Sequence, residues 1–488
     1  MGCQVRLPNL RAQGSHVRYA ARMARAVDEL TALLGDDRVR DHPLDQHLFA
    51  KDAGLRRGGA PIVVFPESSD EVAAVVKIAR AHRMPIVARG AGTGLAGGAV
   101  PQQGSLLVVL TRMNRIFEID EVGRTAWVGP GVVNLDLSEA IADRGLHFAP
   151  DPSSQSACTI GGNVATNAGG PHCLAEGSTV AHILGVELVT ADGSTVVLGG
   201  AAPDTPGYDL RGVIVGSEGT LGIVTKVLVR LTENHLDAAT LLMAFDAIED
   251  AARTVSDVIG AGLVPAALEM MDNPMCVAVE NFVHAGYPTD AAAVLLADVL
   301  GHPAGTAASI DLLNDIAIAN GATSVRVATD ESERALLWKG RKSAFGAIAQ
   351  AAPDYYLNDT VVPRTRIVEV IAKTYEIAER HDISLMNVFH AGDGNLHPLV
   401  SFDASEPGMT ERVVAAAREM VTVAVAAGGT LSGEHGIGFE KRELMSSVFS
   451  AEDLDAQARL REAFDPGGVL NPEKILPDGA RCFDWGTG

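Results

Sequence analysis

The sequence predicts an α+β protein that is divided into two or three domains. Its 488 residues exceed what a single hydrophobic core usually serves, and an apolar content of 47% supplies material for more than one core. The pattern also changes near Thr232. Glycine-rich loops between short elements precede this position, and long helices with fewer strands are predicted after it. We therefore place the main domain boundary there.

The first domain is predicted to start with a βαβ unit. Residues 1–50 precede it and predict one or two helices. The apolar run 61–66 predicts a strand, and Ser68 with Glu71 has the spacing of a capping box at the start of a helix. The buried face of that helix is predicted to carry Val72, Val75, Val76 and Ala79. A second strand at 84–88 completes the unit.

The remaining elements follow from apolar runs and helical periodicity. Strands are predicted at 105–111, 125–128, 183–190, 213–215, 223–230, 384–389 and 399–402. Helices are predicted at 246–260, 290–300, 332–351 and 364–381.

The charge of the chain limits the kinds of partner that it can bind. With 39 basic and 61 acidic side chains, the formal net charge is −22. So acidic a surface argues against nucleic acid and against an anionic membrane as partners. It does not exclude an anionic substrate, because a few arginines can dominate the charge of a cleft.

The cysteines and the apolar runs indicate the compartment. The cysteines form no CxxC pair, which argues against a disulfide scaffold and against a cysteine-held iron–sulfur cluster. They are Cys3, Cys158, Cys173, Cys276 and Cys482. The N-terminus lacks the pattern of a signal peptide, and the apolar run 291–300 is too short to span a membrane. We therefore expect a cytoplasmic protein without a membrane span.

A first glycine loop, residues 89–98, contains Gly92, Gly94 and Gly97 in a GxGxxG spacing after a predicted strand. A Rossmann site requires a helix directly after such a loop, to hold the pyrophosphate at its N-terminus. Here residues 100–104 and another strand follow, so the context argues against a Rossmann fold. Successive backbone N–H groups can still bind a pyrophosphate as a nest.

Two further loops have the same character. Residues 159–170 combine glycines with alanine and asparagine, and residues 216–223 form a third glycine-rich segment before a strand. Glycine lets a backbone approach a flat ligand closely, which a β-carbon prevents. Any one of these loops is compatible with a simple turn, but three in one domain favour a nucleotide site.

A second kind of site is predicted near the other end of the chain. His390 and His397 are seven residues apart, which requires a hairpin whose turn contains Asp393 and Gly394. With Glu434 they provide two imidazoles and a carboxylate, an open ligand set for Zn, Mn or ferrous iron. Such a site can polarise a substrate hydroxyl.

His435 directly follows Glu434 and is a candidate general base. In an extended backbone, neighbouring side chains point to opposite faces. We therefore expect Glu434 to face the metal while His435 faces the substrate hydroxyl. Histidine titrates in a range that suits proton abstraction.

These loops, with HAGDGNLH at 390–397, SGEHGIG at 432–438 and FDPGGVLNP at 464–472, resemble the FAD-linked oxidase family. This family belongs to the vanillyl-alcohol oxidase and p-cresol methylhydroxylase superfamily. It includes D-lactate dehydrogenases, D-2-hydroxyglutarate dehydrogenases and the flavin subunit of bacterial glycolate oxidase. Segments 340–345 and 353–356 look most like that last branch. The resemblance covers residues from about 50 to about 476.

The resemblance implies four segments. After the N-terminal helical segment 1–50, an FAD-binding domain of two subdomains would span 51–234. An α/β cap domain with the metal site would span 235–445. A helical C-terminal segment, 446–488, would return to the flavin.

The resemblance also implies the residues that contact FAD. The pyrophosphate would lie on 89–94, the flavin ring beside 150–154 and 161–170, and the adenosine near 218–223. The implied residues are Arg89, Gly90, Ala91, Gly92, Thr93, Gly94, Pro150, Asp151, Ser153, Gly161, Gly162, Asn163, Asn167, Gly169, Glu218, Ile223 and Asn471. Members with covalent flavin usually carry a histidine in the first loop. None lies near Thr93, so we predict non-covalent FAD. A simple terminal turn competes with a flavin role for Asn471.

For the second site, the resemblance implies that His390, His397 and Glu434 bind the metal and that His435 is the base. Arg341 resembles the arginine that binds the substrate carboxylate, and a guanidinium suits that contact. A solvated helix face beside Lys339 and Lys342 is the alternative for Arg341. Phe345 replaces a polar contact of the 2-hydroxyglutarate enzymes, which favours a substrate with one carboxylate.

The expected function is therefore FAD-dependent oxidation of a small D-2-hydroxy acid, such as D-lactate or glycolate, with hydride passing from C2 to flavin N5. A separate electron acceptor, a protein or a quinone, is expected, since the chain has no cysteine cluster. Two close alternatives are a D-2-hydroxyglutarate dehydrogenase and a flavin subunit that is inactive without its complex. A phenol or aryl-alcohol oxidase is a third alternative, but it would need no metal. The sequence leaves homo-oligomer and complex subunit both open.

Overall fold

The computed structural model of the chain describes residues 10–202 and 206–478. Its N-terminal half contains the helices α1 (Leu10–Leu34), α2 (Pro43–Phe49), α3 (Ser69–Ala81), α4 (Asn134–Ile141), α5 (Ile160–Thr166), α6 (Cys173–Glu176) and α7 (Leu210–Ile214). The strands of this half are β1 (Val39–Arg40), β2 (Ile62–Val64), β3 (Ile86–Arg89), β4 (Leu106–Val109), β5 (Ile116–Asp120), β6 (Thr125–Val128), β7 (Leu146–His147), β8 (Ile183–Val189), β9 (Thr195–Gly199), β10 (Ile223–Arg230) and β11 (Thr232–Glu233).

The C-terminal half contains the strands β12 (Asp237–Phe245), β13 (Ala267–Asp272), β14 (Ala293–Gly301), β15 (Ala322–Val327), β16 (Asp354–Leu357), β17 (Thr360–Val361), β18 (Ser384–His390), β19 (Asn395–Leu396) and β20 (Pro398–Phe402). Its helices are α8 (Ile248–Gly260), α9 (Asn273–Val283), α10 (Pro303–Ala319), α11 (Glu331–Lys342), α12 (Ala344–Ala351), α13 (Ile367–Arg380), α14 (Met409–Ala426) and α15 (Ala451–Phe464).

The N-terminal half is built on two main sheets, in agreement with two subdomains. One has the order β1-β2-β4-β3, with β2, β4 and β3 parallel, and the other is antiparallel with the order β5-β6-β10-β8-β9. Alternate residues of β2 and β4 pack into separate cores on the two faces of the first sheet. Burial on both faces explains why these strands are continuous apolar runs.

Helix α3 confirms its predicted buried face but not the whole capping box. Its four predicted core residues are fully buried. The hydroxyl of Ser68 accepts a hydrogen bond from the N–H of Glu71 at 3.2 Å. The Glu71 carboxylate does not return to Ser68. It accepts from the N–H of Glu67 and pairs with Arg38 at 2.8 Å, because this cation is close enough to compete.

The C-terminal half forms a nine-stranded sheet, of which the sequence predicted only the strands at 384–389 and 399–402. The main path of the sheet is β15-β12-β14-β13-β18-β19-β17, with β20 and β16 beside β18. Residues 290–300, predicted to be helical, form β14 in the middle of this sheet. Alternate side chains of β14 enter cores on opposite faces, and such a doubly buried strand has no polar face to reveal its period. The predicted strand 213–215 is also wrong, because Asp209 caps a helix there through the N–H of Gly212.

The C-terminal segment returns to the first sheet. The N–H of Ile86 in β3 donates to the Val469 carbonyl at 2.8 Å, and the N–H of Asn471 donates to the Ile86 carbonyl at 2.7 Å. This brings Asn471 to the sheet edge from which the first glycine loop leaves. The domain limits at 50, 234 and 445 stay a prediction.

The structure also bears on the expectations about membrane spans and cysteines. Within the described residues, no helix is both long enough and apolar enough to cross a membrane. Cys158, Cys173 and Cys276 carry free thiols. Cys3 and Cys482 lie outside the described residues, as do residues 1–9 of the N-terminal segment.

Candidate active site

The first glycine loop forms one wall of a cavity of about 390 Å³. A β-carbon at Gly90 would clash with the hydroxyl of Thr159, and one at Gly92, whose φ is +78°, with the guanidinium of Arg89. In the described segment 95–105 the chain forms no helix, so the loop lacks the Rossmann context, as predicted. The loop instead presents its backbone to the cavity, which suits a pyrophosphate nest.

The second glycine loop forms the facing wall. Thr159 caps α5 by accepting the N–H of Gly162 at 3.3 Å, and this places Gly161, Gly162 and Asn163 on the cavity. Asn163 is buried, and neither polar atom of its side-chain amide has a partner. A buried amide without partners is costly, so this side chain fits a polar ligand in the cavity.

The predicted cofactor residues divide into two groups. Those that border the cavity are Arg89, Gly90, Ala91, Gly92, Thr93, Gly94, Ser153, Gly161, Gly162, Asn163 and Glu218. Those that the structure places behind its wall are Pro150, Asp151, Asn167, Gly169, Ile223 and Asn471.

The residues behind the wall hold the loops in place. The Pro150 carbonyl accepts from Asn134 at 2.8 Å, and the Asn167 side chain accepts the N–H of Val180 at 2.8 Å. The carboxylate of Asp151 lies 2.8 Å from Nδ1 of His172. Gly169 lies so close to Glu434 that a β-carbon would come within 3.0 Å of its carboxylate.

The side chain of Ile223 belongs to a hydrophobic core, and its place beside the adenosine stays a prediction. It is 1% exposed and lies in the core under the first sheet, because it opens β10 opposite Val189.

Glu218 joins the third glycine loop to the C-terminal half. Its carboxylate accepts the N–H of Ile437 at 2.7 Å and that of Gly438 at 3.1 Å. Burial raises its pKa despite these hydrogen bonds. Asn471 donates to the carbonyls of Gly98 at 2.8 Å and Glu218 at 2.7 Å. Its side chain therefore connects two glycine loops, which a simple terminal turn would not do.

The hairpin that carries His390 and His397 forms as predicted. His390 ends β18 and pairs with Asn395 of β19, and the turn requires Gly394 because its φ is +79°. Oε1 of Glu434 lies 3.4 Å from Nε2 of His390 and 3.1 Å from Nε2 of His397. The three side chains therefore converge on one point, and their candidate ligand atoms all lie within 4.8 Å of one another.

The outer nitrogens of both rings face protein oxygens. Nδ1 of His390 lies 2.8 Å from a carboxylate oxygen of Glu269, and Nδ1 of His397 lies 3.4 Å from the Asn358 carbonyl. Both rings can donate outward and keep Nε2 free for a cation, as metal-binding histidines do. Burial opposes ionisation of Glu434, but hydrogen bonds with His390 and His397 outweigh it and hold its pKa well below the usual value. This set fits a divalent metal.

His435 borders the cavity beside Glu434, so the expectation of opposite faces is wrong. Nε2 of His435 lies 3.8 Å from Oε1 of Glu434, and its ring stacks on that of His397. The backbone is bent here because two of its N–H groups bind the same carboxylate. The N–H groups of Gly433 and His435 each donate to the Asp359 carboxylate at 3.0 Å. Burial lowers the pKa of His435 to about 4, so the ring is neutral at neutral pH and can accept a proton.

Arg341 is 2% exposed, which excludes the solvated-face alternative. It does not border the cavity. Its Nε and Nη2 lie 2.7 Å and 2.5 Å from Oε2 of Glu269, on the far side of His390.

Sequence reasoning missed two buried carboxylates, Glu269 and Asp359. Each is a lone acidic residue within an otherwise apolar or uncharged strand region, 267–271 and 357–362. A charge at such a position needs a partner, and that signal could have found both residues. Asp359 has one in Lys441, whose Nζ lies 3.2 Å away.

The comparisons with known proteins agree with this architecture. Residues 60–199 match the family model of the FAD binding domain, and residues 235–475 match that of the FAD linked oxidases, C-terminal domain. The chain is 45% identical over 426 residues to the glycolate oxidase subunit GlcD of Escherichia coli K12, covering 87% of this chain and 85% of that protein. It is 34% identical over 421 residues to a D-lactate dehydrogenase of Archaeoglobus fulgidus, covering 85% and 91%.

Solved structures show the same fold at low identity. p-Cresol methylhydroxylase with substrate bound has a TM-score of 0.80 at 18% identity, with 93% of this chain and 97% of that chain covered. A 4-ethylphenol oxidase from Gulosibacter chungangensis has a TM-score of 0.77 at 20% identity, with 94% and 98% covered. Fold and site together define a flavin-dependent oxidoreductase. The chain belongs to the FAD-linked oxidase family, with the two-subdomain flavin domain and cap that were predicted.

Proposed function

We propose that this chain oxidises a small D-2-hydroxy acid of the D-lactate or glycolate type to the 2-oxo acid. The observation that carries the proposal is the position of His435, a neutral imidazole at the cavity wall that contacts the candidate metal ligands. The names of the two relatives, a glycolate oxidase subunit and a D-lactate dehydrogenase, support the same substrate class.

The oxidation removes a hydride from C2 of the acid and a proton from its hydroxyl. Non-covalent FAD in the cavity would supply the hydride acceptor, and a divalent cation (Zn, Mn or Fe) on His390, His397 and Glu434 would supply a Lewis acid. His435 takes the hydroxyl proton at the ring nitrogen that faces the substrate. Asp359 fixes the backbone of this residue and of its neighbours, so the base keeps its place beside Glu434.

The cavity favours an acid with one carboxylate. Phe345 and Tyr355 border it with ring centroids 6.2 Å apart, and His435 borders the same cavity. Among the described residues that border the cavity, Arg89 is the one lysine or arginine, and its guanidinium contacts the Lys51 carbonyl and the Phe49 ring. A second substrate carboxylate, as in D-2-hydroxyglutarate, would lack a cation.

A second candidate function is that of a flavin subunit that needs a partner to pass its electrons on. The E. coli relative is named a subunit, and this observation favours the candidate. The electron acceptor would then be a second protein or a quinone.

A dye-linked assay of the purified chain tests both candidates. Turnover of D-lactate or glycolate with an artificial acceptor, and none of L-lactate, would support a self-sufficient dehydrogenase. Anaerobic flavin reduction without dye turnover would support the subunit. If none of these acids gives either dye turnover or flavin reduction, the proposed substrate class is contradicted. Flavin that stays on the polypeptide after acid denaturation would contradict non-covalent binding.

A further inference from the structure

Glu269 occupies the centre of a buried chain of three side chains. It lies in the middle of β13, where it is the direct cross-strand partner of His390 in β18. Cross-strand partners lie on the same face of the sheet, so the strand register places the Glu269 carboxylate beside the His390 imidazole. One of its oxygens lies 2.8 Å from Nδ1 of His390, and the other receives the Arg341 guanidinium. Glu269 and Arg341 are 1% and 2% exposed.

The carboxylate decides which nitrogen of His390 carries the proton. An ionised carboxylate only accepts hydrogen bonds, so Nδ1 must be the donor to Glu269, and Nε2 is the nitrogen through which a cation would be bound. Nε2 is the nitrogen that faces Glu434 at 3.4 Å. Glu269 therefore holds both the tautomer and the ring orientation of His390 that a cation at this point requires.

Arg341 makes this arrangement stable in a dry interior. A buried carboxylate without a cation is costly, and the guanidinium supplies the compensating charge through Nε at 2.7 Å and Nη2 at 2.5 Å. These contacts occupy the Nε and Nη2 edge of the guanidinium and anchor Arg341 on Glu269.

We propose that Glu269 and Arg341 are a positioning pair that presents His390 to a divalent cation, with Arg341 acting on His390 through Glu269. This inference rests on the metal site of the proposed function. Partners of this kind typically change metal affinity by about 10–100-fold when they are removed.

The test measures metal affinity, not only turnover. FAD-loaded protein is stripped with a chelator and titrated with Zn²⁺ or Mn²⁺ alone against a chromophoric chelator, for wild type, Glu269→Gln, Glu269→Asp and Arg341→Met. Flavin content and thermal midpoint show that each variant is folded. Asp298→Asn is the matched control. Asp298 lies on β14 of the same sheet, and its fully buried carboxylate pairs with Arg334 at 2.7 Å. The substitution therefore neutralises a comparable buried carboxylate.

We expect Glu269→Gln and Arg341→Met to lower the affinity about 10–100-fold, Glu269→Asp to lose less, and Asp298→Asn to bind like wild type. Wild-type metal affinity in Glu269→Gln or in Arg341→Met would overturn the positioning pair. A wild-type protein that binds neither metal would instead contradict the metal site itself, and the pair with it.

Discussion

His397 and His435 stack face to face, with ring centroids 5.3 Å apart and planes tilted by 10°. One ring offers Nε2 to Glu434 and the other borders the cavity. Burial lowers the pKa of His435 to about 4, the nearby Asp359 carboxylate opposes this shift, and His397 adds to it. The candidate base and a candidate metal ligand thus pack against each other, although His435 lies in the loop 432–436 and His397 directly follows β19.

Replacing His435 with Ala should slow flavin reduction by the acid about 10²–10⁴-fold, since the hydroxyl proton loses its acceptor. FAD should remain bound, because the glycine loops that border most of the cavity are unchanged. Stopped-flow anaerobic reduction measures this rate. His235→Ala, a partly exposed histidine away from the cavity, is the control. An undiminished rate in His435→Ala would remove its role as the base.

Asp359 should be needed to hold the loop 432–436. In Asp359→Asn the charge is lost, and Lys441 stays buried opposite a neutral amide. We expect a lower thermal midpoint and at least a tenfold slower flavin reduction, measured by differential scanning fluorimetry and stopped flow. In Lys441→Met the loop N–H groups keep their acceptor, so reduction should suffer less. Equal rates for wild type and Asp359→Asn would show that the loop does not need this anchor.

His172 should make stability depend on pH. Burial opposes its charge, but Asp151 and Asp298 outweigh this and raise its pKa to about 10. A group whose pKa is higher in the folded state stabilises fully below its unfolded value, near 6.5, and this contribution is lost as the pH rises to 10. The thermal midpoint of wild type should therefore exceed that of His172→Gln most at pH 6 and least above pH 10. A difference that does not change with pH would contradict the charged pair.

Phe345 should limit the size of the substrate. Phe345→Ala removes part of the aromatic wall beside Tyr355, and we expect kcat/KM for a longer D-2-hydroxy acid, such as 2-hydroxyvalerate, to rise about tenfold relative to glycolate. Leu336→Ala, a partly exposed position on α11, serves as the control. An unchanged ratio of the two kcat/KM values in Phe345→Ala would show that Phe345 does not limit the size of the substrate.

Local sequence predicts much of the site, because its signals are short-range. The hairpin of His390 and His397 follows from a turn that only glycine at 394 accommodates easily, and the first glycine loop follows strand β3, whose apolar run is unambiguous. The contacts of Glu269 and Arg341 could not be predicted in this way. They join β13, β18 and α11, which are far apart in sequence, and depend on the register that pairs Glu269 with His390.

Strand β14 shows the same limit for the fold. Apart from Asp298, its run from Ala293 to Gly301 is apolar on both faces, so neither helical nor strand periodicity appears. The bend at Glu434 and His435 likewise depends on Asp359, which lies more than 70 residues away in the sequence. An extended backbone was the natural local expectation, and a long-range carboxylate changes it.

Anaerobic bleaching of the flavin absorbance by D-lactate, L-lactate, glycolate and D-2-hydroxyglutarate, before and after chelation, tests the central claim most directly. The account predicts that D-lactate or glycolate bleaches the flavin, that chelation stops this, and that added divalent metal restores it. Bleaching that is equally fast after complete metal removal, or no bleaching by any of these acids with flavin present, would contradict it.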